Sequence, residues 1–340
     1  MKAIKYILLL LLIVTIGLSI YIAVQPNSFE VTRTKTINAP QSVVYNNVID
    51  FKHWESWSSL KEYDSETNIT LGEQTKGTDA SYTWENKDGV GRMTTLSTQP
   101  MNSITQEMQF EEFPTSDVNW TFASNTNGTT DVTWTISSKD LPFQFKMISA
   151  FMGGMEPQIG PRLQRELVKL DSVLQAEMKV YNINVEGVTQ HSGGFYLYTT
   201  MSCKLSEFDT NMKRMQGKVG AYALTHNITM AGKPFILYHK WDEENDAAIF
   251  STCIPTNSKI ITDESDILTG QLDSFRAVKT VLKGDYANLK EAWEESMAYI
   301  TNNNLEMIEA GPMLETYLTD TSVEENPSKW VSEIYVAVKG

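Results

Sequence analysis

Residues 6–24 read YILLLLLIVTIGLSIYIAV, nineteen nearly unbroken apolar residues with no charge among them. A helix rises about 1.5 Å per residue, so this run nearly spans the hydrocarbon core of a bilayer. The apolar stretch of a secretory signal is shorter, about 7–15 residues, and ends in small residues of the A-x-A type. Ile22-Ala23-Val24 is a poor match to such a site, and no lipobox cysteine follows. The expectation is an uncleaved anchor within residues 1–27, with a cleaved signal as the alternative. Lys2, Lys5 and the amino terminus precede the run. That charge bias favours a cytoplasmic N-terminus with the remaining residues outside the cytoplasm. Arg33 and Lys35, on the far side, pull weakly the other way.

The rest of the 340-residue chain is long enough for about two domains. Its formal net charge is −14, with an acidic excess in both halves and no block of lysine or arginine. A phosphate backbone would be repelled, so nucleic acid is not an expected partner. An anionic lipid surface would be repelled as well, unless hydrophobic anchoring holds the chain there. His53, His191, His226 and His239 are scattered without metal-ligand spacing. No metal site or cofactor is expected. Cys203 and Cys253 are either two small core residues or one disulfide.

Residues 28–37 alternate as a strand, and Ala39-Pro40 opens a helix with Val44, Val48 and Phe51 on one stripe. Turn signals at Lys87-Asp88-Gly89 and at Asn125-Thr-Asn127-Gly128 separate strand-like runs. A helix opened by Pro161 over 161–176 repeats Leu163, Leu167, Leu170 and Leu174. The order is strand, helix, antiparallel strands, long helix. The stretch NAPQSVVYNNVIDFKHWESW resembles the opening of the START-like, polyketide-cyclase/dehydrase helix-grip superfamily. NGTTDVTWTIS and GPRLQRELVKLDSVLQAE resemble its penultimate strand and last helix. The resemblance implies an α+β domain over 28–177, with a curved antiparallel sheet gripping its C-terminal helix and an apolar cavity between them. Trp54, Trp57, Trp84, Trp120 and Trp134 are expected in its core rather than on a ligand.

Residues 178–340 repeat on themselves at an offset of 78 residues, with Pro234 matching Pro312 and Met215 matching Trp293. Each repeat reads strand–helix–strand–strand, and two such units can pair in pseudo-twofold symmetry with a groove between the helices. The C-terminal unit closely resembles the GyrI-like small-molecule-binding domain, also called the effector-binding domain of multidrug-sensing activators. The carriers are Gly284–Tyr286, the EAW helix, the YL-x-D strand and the closing EIYV-x-V-K, in which Ala337 stands where the family has proline. The resemblance implies an aromatic-lined hydrophobic cleft with one acidic residue at its floor. That residue is expected at Glu333, with Tyr335, Tyr317, Tyr286, Trp293 and Tyr238 around it. Glu315 is expected in solvent. On the closing strand Val331, Glu333, Tyr335 and Ala337 share one face, and Ser332, Ile334, Val336 and Val338 the other.

In many relatives this domain is joined to a helix–turn–helix, and none is legible here. The expected partner is a hydrophobic, potentially cationic, small molecule or a lipid. Two alternatives stay open: a hydrolase with Glu333 as general base, and a structural envelope protein that binds another protein. Neither GxSxG nor HExxH occurs. The topology is checked by adding protease to cells whose outer layer alone is permeabilised. The soluble domains should be degraded; protection until the inner membrane is lysed would reverse the orientation.

Overall fold

The computed structural model describes residues 2–340. Two compact units meet between Glu177 and Met178. Helix α1 (Lys2–Ala23) opens the first unit. Its twenty residues Ile4–Ala23 are long and apolar enough to cross a membrane, and they are largely exposed.

Seven antiparallel strands form the first unit's sheet: β1 (Phe29–Ile37), β2 (Asn68–Leu71), β3 (Ser81–Asn86), β4 (Gly89–Gln99), β5 (Ser103–Phe110), β6 (Ser116–Ser124) and β7 (Thr130–Ser138). Their spatial order is β1-β7-β6-β5-β4-β3-β2, so the first and last strands pair and the others meander. Helix α2 (Gln41–Val48) and the single-turn helices α3 (Trp54–Trp57) and α4 (Leu60–Tyr63) lie between β1 and β2. Both predicted turns close hairpins, with Asn86 opposite Gly89 and Ser124 opposite Thr130.

Two helices follow β7: α5 (Phe143–Met152), which the sequence reading missed, and α6 (Glu156–Met178). The long helix starts five residues before the predicted Pro161, which lies inside it. Pro157 lies in the first turn, where N–H groups lack helical partners anyway, whereas Pro161, the sixth residue, forgoes the bond to the Pro157 carbonyl. The leucine stripe Leu163, Leu167, Leu170 and Leu174 is fully buried. Beneath it Trp54, Trp57, Trp120 and Trp134 pack ring against ring, with Trp120 and Trp134 stacked 4.1 Å apart. These four are buried core, as expected.

The second unit runs β8 (Asn182–His191), β9 (Gly194–Cys203), α7 (Phe208–Thr225), β10 (Phe235–Asp242), β11 (Ala247–Thr256), β12 (Leu268–Leu272), β13 (Phe275–Lys283), α8 (Leu289–Asn302), β14 (Met313–Tyr317) and β15 (Val331–Ala337). Strand–helix–strand–strand therefore occurs twice, as β9-α7-β10-β11 and β13-α8-β14-β15. The sheet order β12-β9-β11-β10-β14-β15-β13-β8 puts the two copies side by side, with β10 against β14 at the centre. Both cysteines are free thiols, and Cys253 is buried.

Register decides which residues face the helices, because residues directly opposite in a ladder share a face. Ile236 is opposite Glu315, and Glu315 is opposite Ile334. Ile236 packs with Phe208 and Met215 of α7, and Ile334 packs with Ala292 and Ile300 of α8. Both helices thus cover one face, and Glu315 lies on it between them. Leu237 belongs to the other face, with Tyr196, Cys253 and Leu314. The 78-residue offset would equate Leu237 with Glu315. It is correct in element order but puts the central strands out of phase by one residue.

The two units should melt separately. Leu167→Ala, which empties a fully buried position, should lower the first unit's stability by about 2–5 kcal/mol and leave the second transition in place. A single transition shifted as a whole, by calorimetry, would contradict independent units.

Candidate functional site

Four of the five aromatic residues expected around a cleft floor converge, and the acid at their centre is Glu315. Strand β14 alternates, so Met313, Glu315 and Tyr317 point to the helix side while Leu314 packs into the opposite cluster. Glu315 is 2% exposed. Trp293 of α8 donates its indole N–H to Oε2 at 2.8 Å, and the Tyr238 hydroxyl of β10 donates to the same oxygen at 3.3 Å. The Tyr317 hydroxyl donates to Oε1. Tyr238 and Trp293 meet edge to face at 5.4 Å, and Tyr286 meets Tyr317 at 4.9 Å. Phe208, from the start of α7, stacks on Tyr238 at 5.9 Å.

Electrostatics at this point run against ionisation. Burial pushes the Glu315 carboxyl above its ordinary value, against the downward pull of the three hydrogen bonds, and Asp209 adds further negative potential. Burial, with the adjacent carboxylate, likewise holds the Tyr238 and Tyr317 hydroxyls well above the usual phenol range. Among the described residues the hydrogen-bond donors to Glu315 are an indole and two phenols, all neutral.

Glu333 lies elsewhere. It is opposite Thr316, one residue out of phase with Glu315, and so points to the face away from the helices. There Lys279 Nζ reaches its Oε1 at 2.9 Å and Tyr335 donates to its Oε2 at 2.8 Å. Lys279 also pairs with Glu186 at 3.1 Å. Tyr335 meets His191 edge to face at 4.8 Å. The structure therefore brings together Tyr238, Trp293, Tyr317 and Tyr286, and separates Glu333 and Tyr335 from them. The expectation that Glu315 is solvated is overturned by its burial. The helix-facing stripe of the closing strand is the apolar one, Ile334, Val336 and Val338. An acid in the alternate phase had to face away.

The first unit holds a cavity of about 770 Å³. It lies between α5, α6 and the sheet. Its apolar wall includes Trp84, Phe110, Phe113, Phe145 and Ile148, and its polar end includes Ser59, Glu62, Arg162 and Arg165. Those polar groups are already partnered. Glu166, buried beside them, accepts from Ser59 N at 2.9 Å and from Arg162 Nε at 3.1 Å. Glu62 pairs with Lys169 and Arg165, whose hydrogen bonds hold its carboxyl below the ordinary range. Of the five tryptophans, only Trp84 lines this cavity.

Comparison with known families agrees with both halves. Residues 28–175 match the polyketide cyclase/dehydrase and lipid transport family, and residues 194–339 match the GyrI-like small-molecule-binding domain. The chain carries these two domains in tandem. Among curated proteins no sequence matches it. Similar solved structures include the C-terminal domain of EcmrR, at 16% identity and TM-score 0.40, covering 47% of this chain and 98% of that one. A Staphylococcus epidermidis protein solved by NMR matches at 16% identity and TM-score 0.34, covering 46% and 94%. SAV2435, solved bound to tetraphenylphosphonium, matches at 16% identity and TM-score 0.35, covering 47% and 94%.

A carboxyl with a raised folded-state pKa stabilises the fold while protonated, below its ordinary value near 4.5. That contribution is lost as pH rises through the folded-state value. Melting temperatures of wild type and Glu315→Gln, compared from about pH 4 to 8, isolate this group. The wild type should lose stability relative to the variant as pH rises. A difference that does not change with pH would place the carboxyl at its ordinary value.

Proposed function

We propose that this chain is a membrane-anchored small-molecule-binding protein whose GyrI-like domain takes a hydrophobic cation over Glu315. The observation that carries this reading is a buried carboxylate whose hydrogen-bond donors, Tyr238, Trp293 and Tyr317, are all neutral. Burying a charge without a counter-charge is unfavourable, and a cationic ligand would supply the missing one. The rings of Tyr238, Trp293, Tyr317 and Tyr286 give such a ligand faces to stack against. Glu333, by contrast, already has Lys279 as its cation. The anchor is residues 6–24, with the N-terminus cytoplasmic and the two domains outside. The polyketide-cyclase-type domain offers its separate cavity to a larger hydrophobic molecule or lipid; 770 Å³ is within the range of ordinary ligand sites.

The test is titration with tetraphenylphosphonium and with a neutral tetraphenyl analogue of the same size. Glu315→Gln keeps shape and hydrogen bonding but removes the charge. A charge-assisted contact is worth on the order of 1.5–3 kcal/mol, so affinity for the cation should fall roughly ten- to a hundredfold. Affinity for the neutral analogue should change little, and Glu333→Gln should leave both unchanged. Equal affinity of wild type and Glu315→Gln for the cation would remove Glu315 from the site. Turnover of an ester probe that Glu315→Gln abolishes while binding persists would favour a hydrolase instead.

A further inference from the structure

Helix α5 has two apolar sides and no acidic residue, in a chain of net charge −14. One side belongs to the cavity: Phe145 and Ile148 line it, and Phe145 meets Phe113 edge to face at 5.0 Å. The other side carries Phe143, Met147 and Phe151 at i, i+4 and i+8, and these side chains are exposed, Phe143 by 52% and Phe151 by 61%. Met152 beside them is also exposed. A run of large apolar side chains on one short helix is more than scattered surface hydrophobicity, and marks an interaction site.

What covers that side is indicated by α1, against which α5 packs. Lys146 Nζ donates to the carbonyl of Ala23 at 2.9 Å, on the last residue of α1, and the Tyr21 hydroxyl reaches the Ala150 carbonyl at 3.5 Å. Leu141 N donates to Asn27 O at 2.8 Å, tying the lead into α5 to the segment that follows α1. If α1 crosses a bilayer, its final turn lies at the membrane–water boundary, and the contacts with Tyr21 and Ala23 hold α5 at that depth. Tyrosine and a snorkelling lysine are the residue types that settle there. A neutral-to-basic helix with an exposed apolar side has the character of an interfacial helix.

We propose that α5 is seated in the surface of the bilayer that α1 crosses, with Phe143, Met147 and Phe151 among lipid chains and Phe145 and Ile148 closing the cavity from inside. The proposal rests on the reading of α1 as a membrane span. It makes α5 the partition between the cavity and the lipid, so a hydrophobic guest would pass between them beside this helix. The chain turns from α5 into α6 through Gly153 and Gly154, at φ +75° and +85°, a left-handed path that glycine takes without strain. A pair of glycines there gives α5 a joint about which it could move.

The full chain, with Cys203 and Cys253 changed to alanine, is reconstituted in phosphatidylcholine vesicles containing doxyl-labelled lipid. Single cysteines bearing an environment-sensitive fluorophore replace Leu10, Met147, Phe151 or Asn127 in turn. Asn127 is the reference in water. It lies beyond Thr130, and the β1–β7 register runs from Phe29 opposite Ser138 to Ile37 opposite Thr130, so α5 and Asn127 are at opposite ends of that ladder, about 26 Å apart. Labels at Met147 and Phe151 should be quenched severalfold more than at Asn127, and the label at Leu10 should be quenched too. Quenching at Leu10 with Met147 and Phe151 matching Asn127 would overturn the seating of α5 while leaving the anchor intact. No quenching at Leu10 would overturn the anchor, and the seating with it.

Discussion

The register between β10, β14 and β15 puts a buried acid on the sheet face that the two helices of the GyrI-like domain cover. Ile236, Glu315 and Ile334 form one row across the middle of that sheet. The outer two are covered by α7 and α8, and the carboxylate lies between. A one-residue slip of β14 would bury Leu314 or Thr316 there and turn Glu315, with Met313 and Tyr317 in phase with it, away from Trp293. The aromatic surroundings and the raised carboxyl pKa both follow from this pairing.

The two domains handle polar groups in opposite ways. In the polyketide-cyclase-type domain the buried acid Glu166 meets Arg162, and Glu62 meets Arg165 and Lys169. These charges satisfy one another, so the cavity beside them is left mainly apolar. In the GyrI-like domain the buried acid has dipoles and rings only.

Much of the architecture was legible because it rests on local pattern. The Leu163-to-Leu174 stripe marked the helix that covers the first sheet, and Asn127-Gly128 marked a hairpin that the structure closes. Helix α5 was not legible: FQFKMISAFM carries apolar residues on two sides, broken by Gln144, Lys146 and Ser149, and so lacks the single stripe that announces a soluble helix. Four of the five expected aromatics lie together, and the buried acid among them is Glu315 of β14, while Glu333 of β15 faces the other way. Glu315 and Glu333 each sit in a short alternating strand, and each precedes a tyrosine by two residues. Only the pairing partner distinguishes them: Glu315 is opposite Ile334 on the helix side, and Glu333 is opposite Thr316 on the other. Cross-strand register is a non-local property that a single strand's alternation does not contain.

The most direct measurement of this account is the ionisation of Glu315 itself, followed by carboxyl carbon-13 NMR with Glu315→Gln to assign the signal. Free protein should show this carboxyl titrating above the ordinary value near 4.5. Saturation with tetraphenylphosphonium should move the titration to lower pH, because a bound cation favours the ionised form. Titration at or below the ordinary value in the free protein, unmoved by the cation, would contradict the claim that an uncompensated buried charge defines the site.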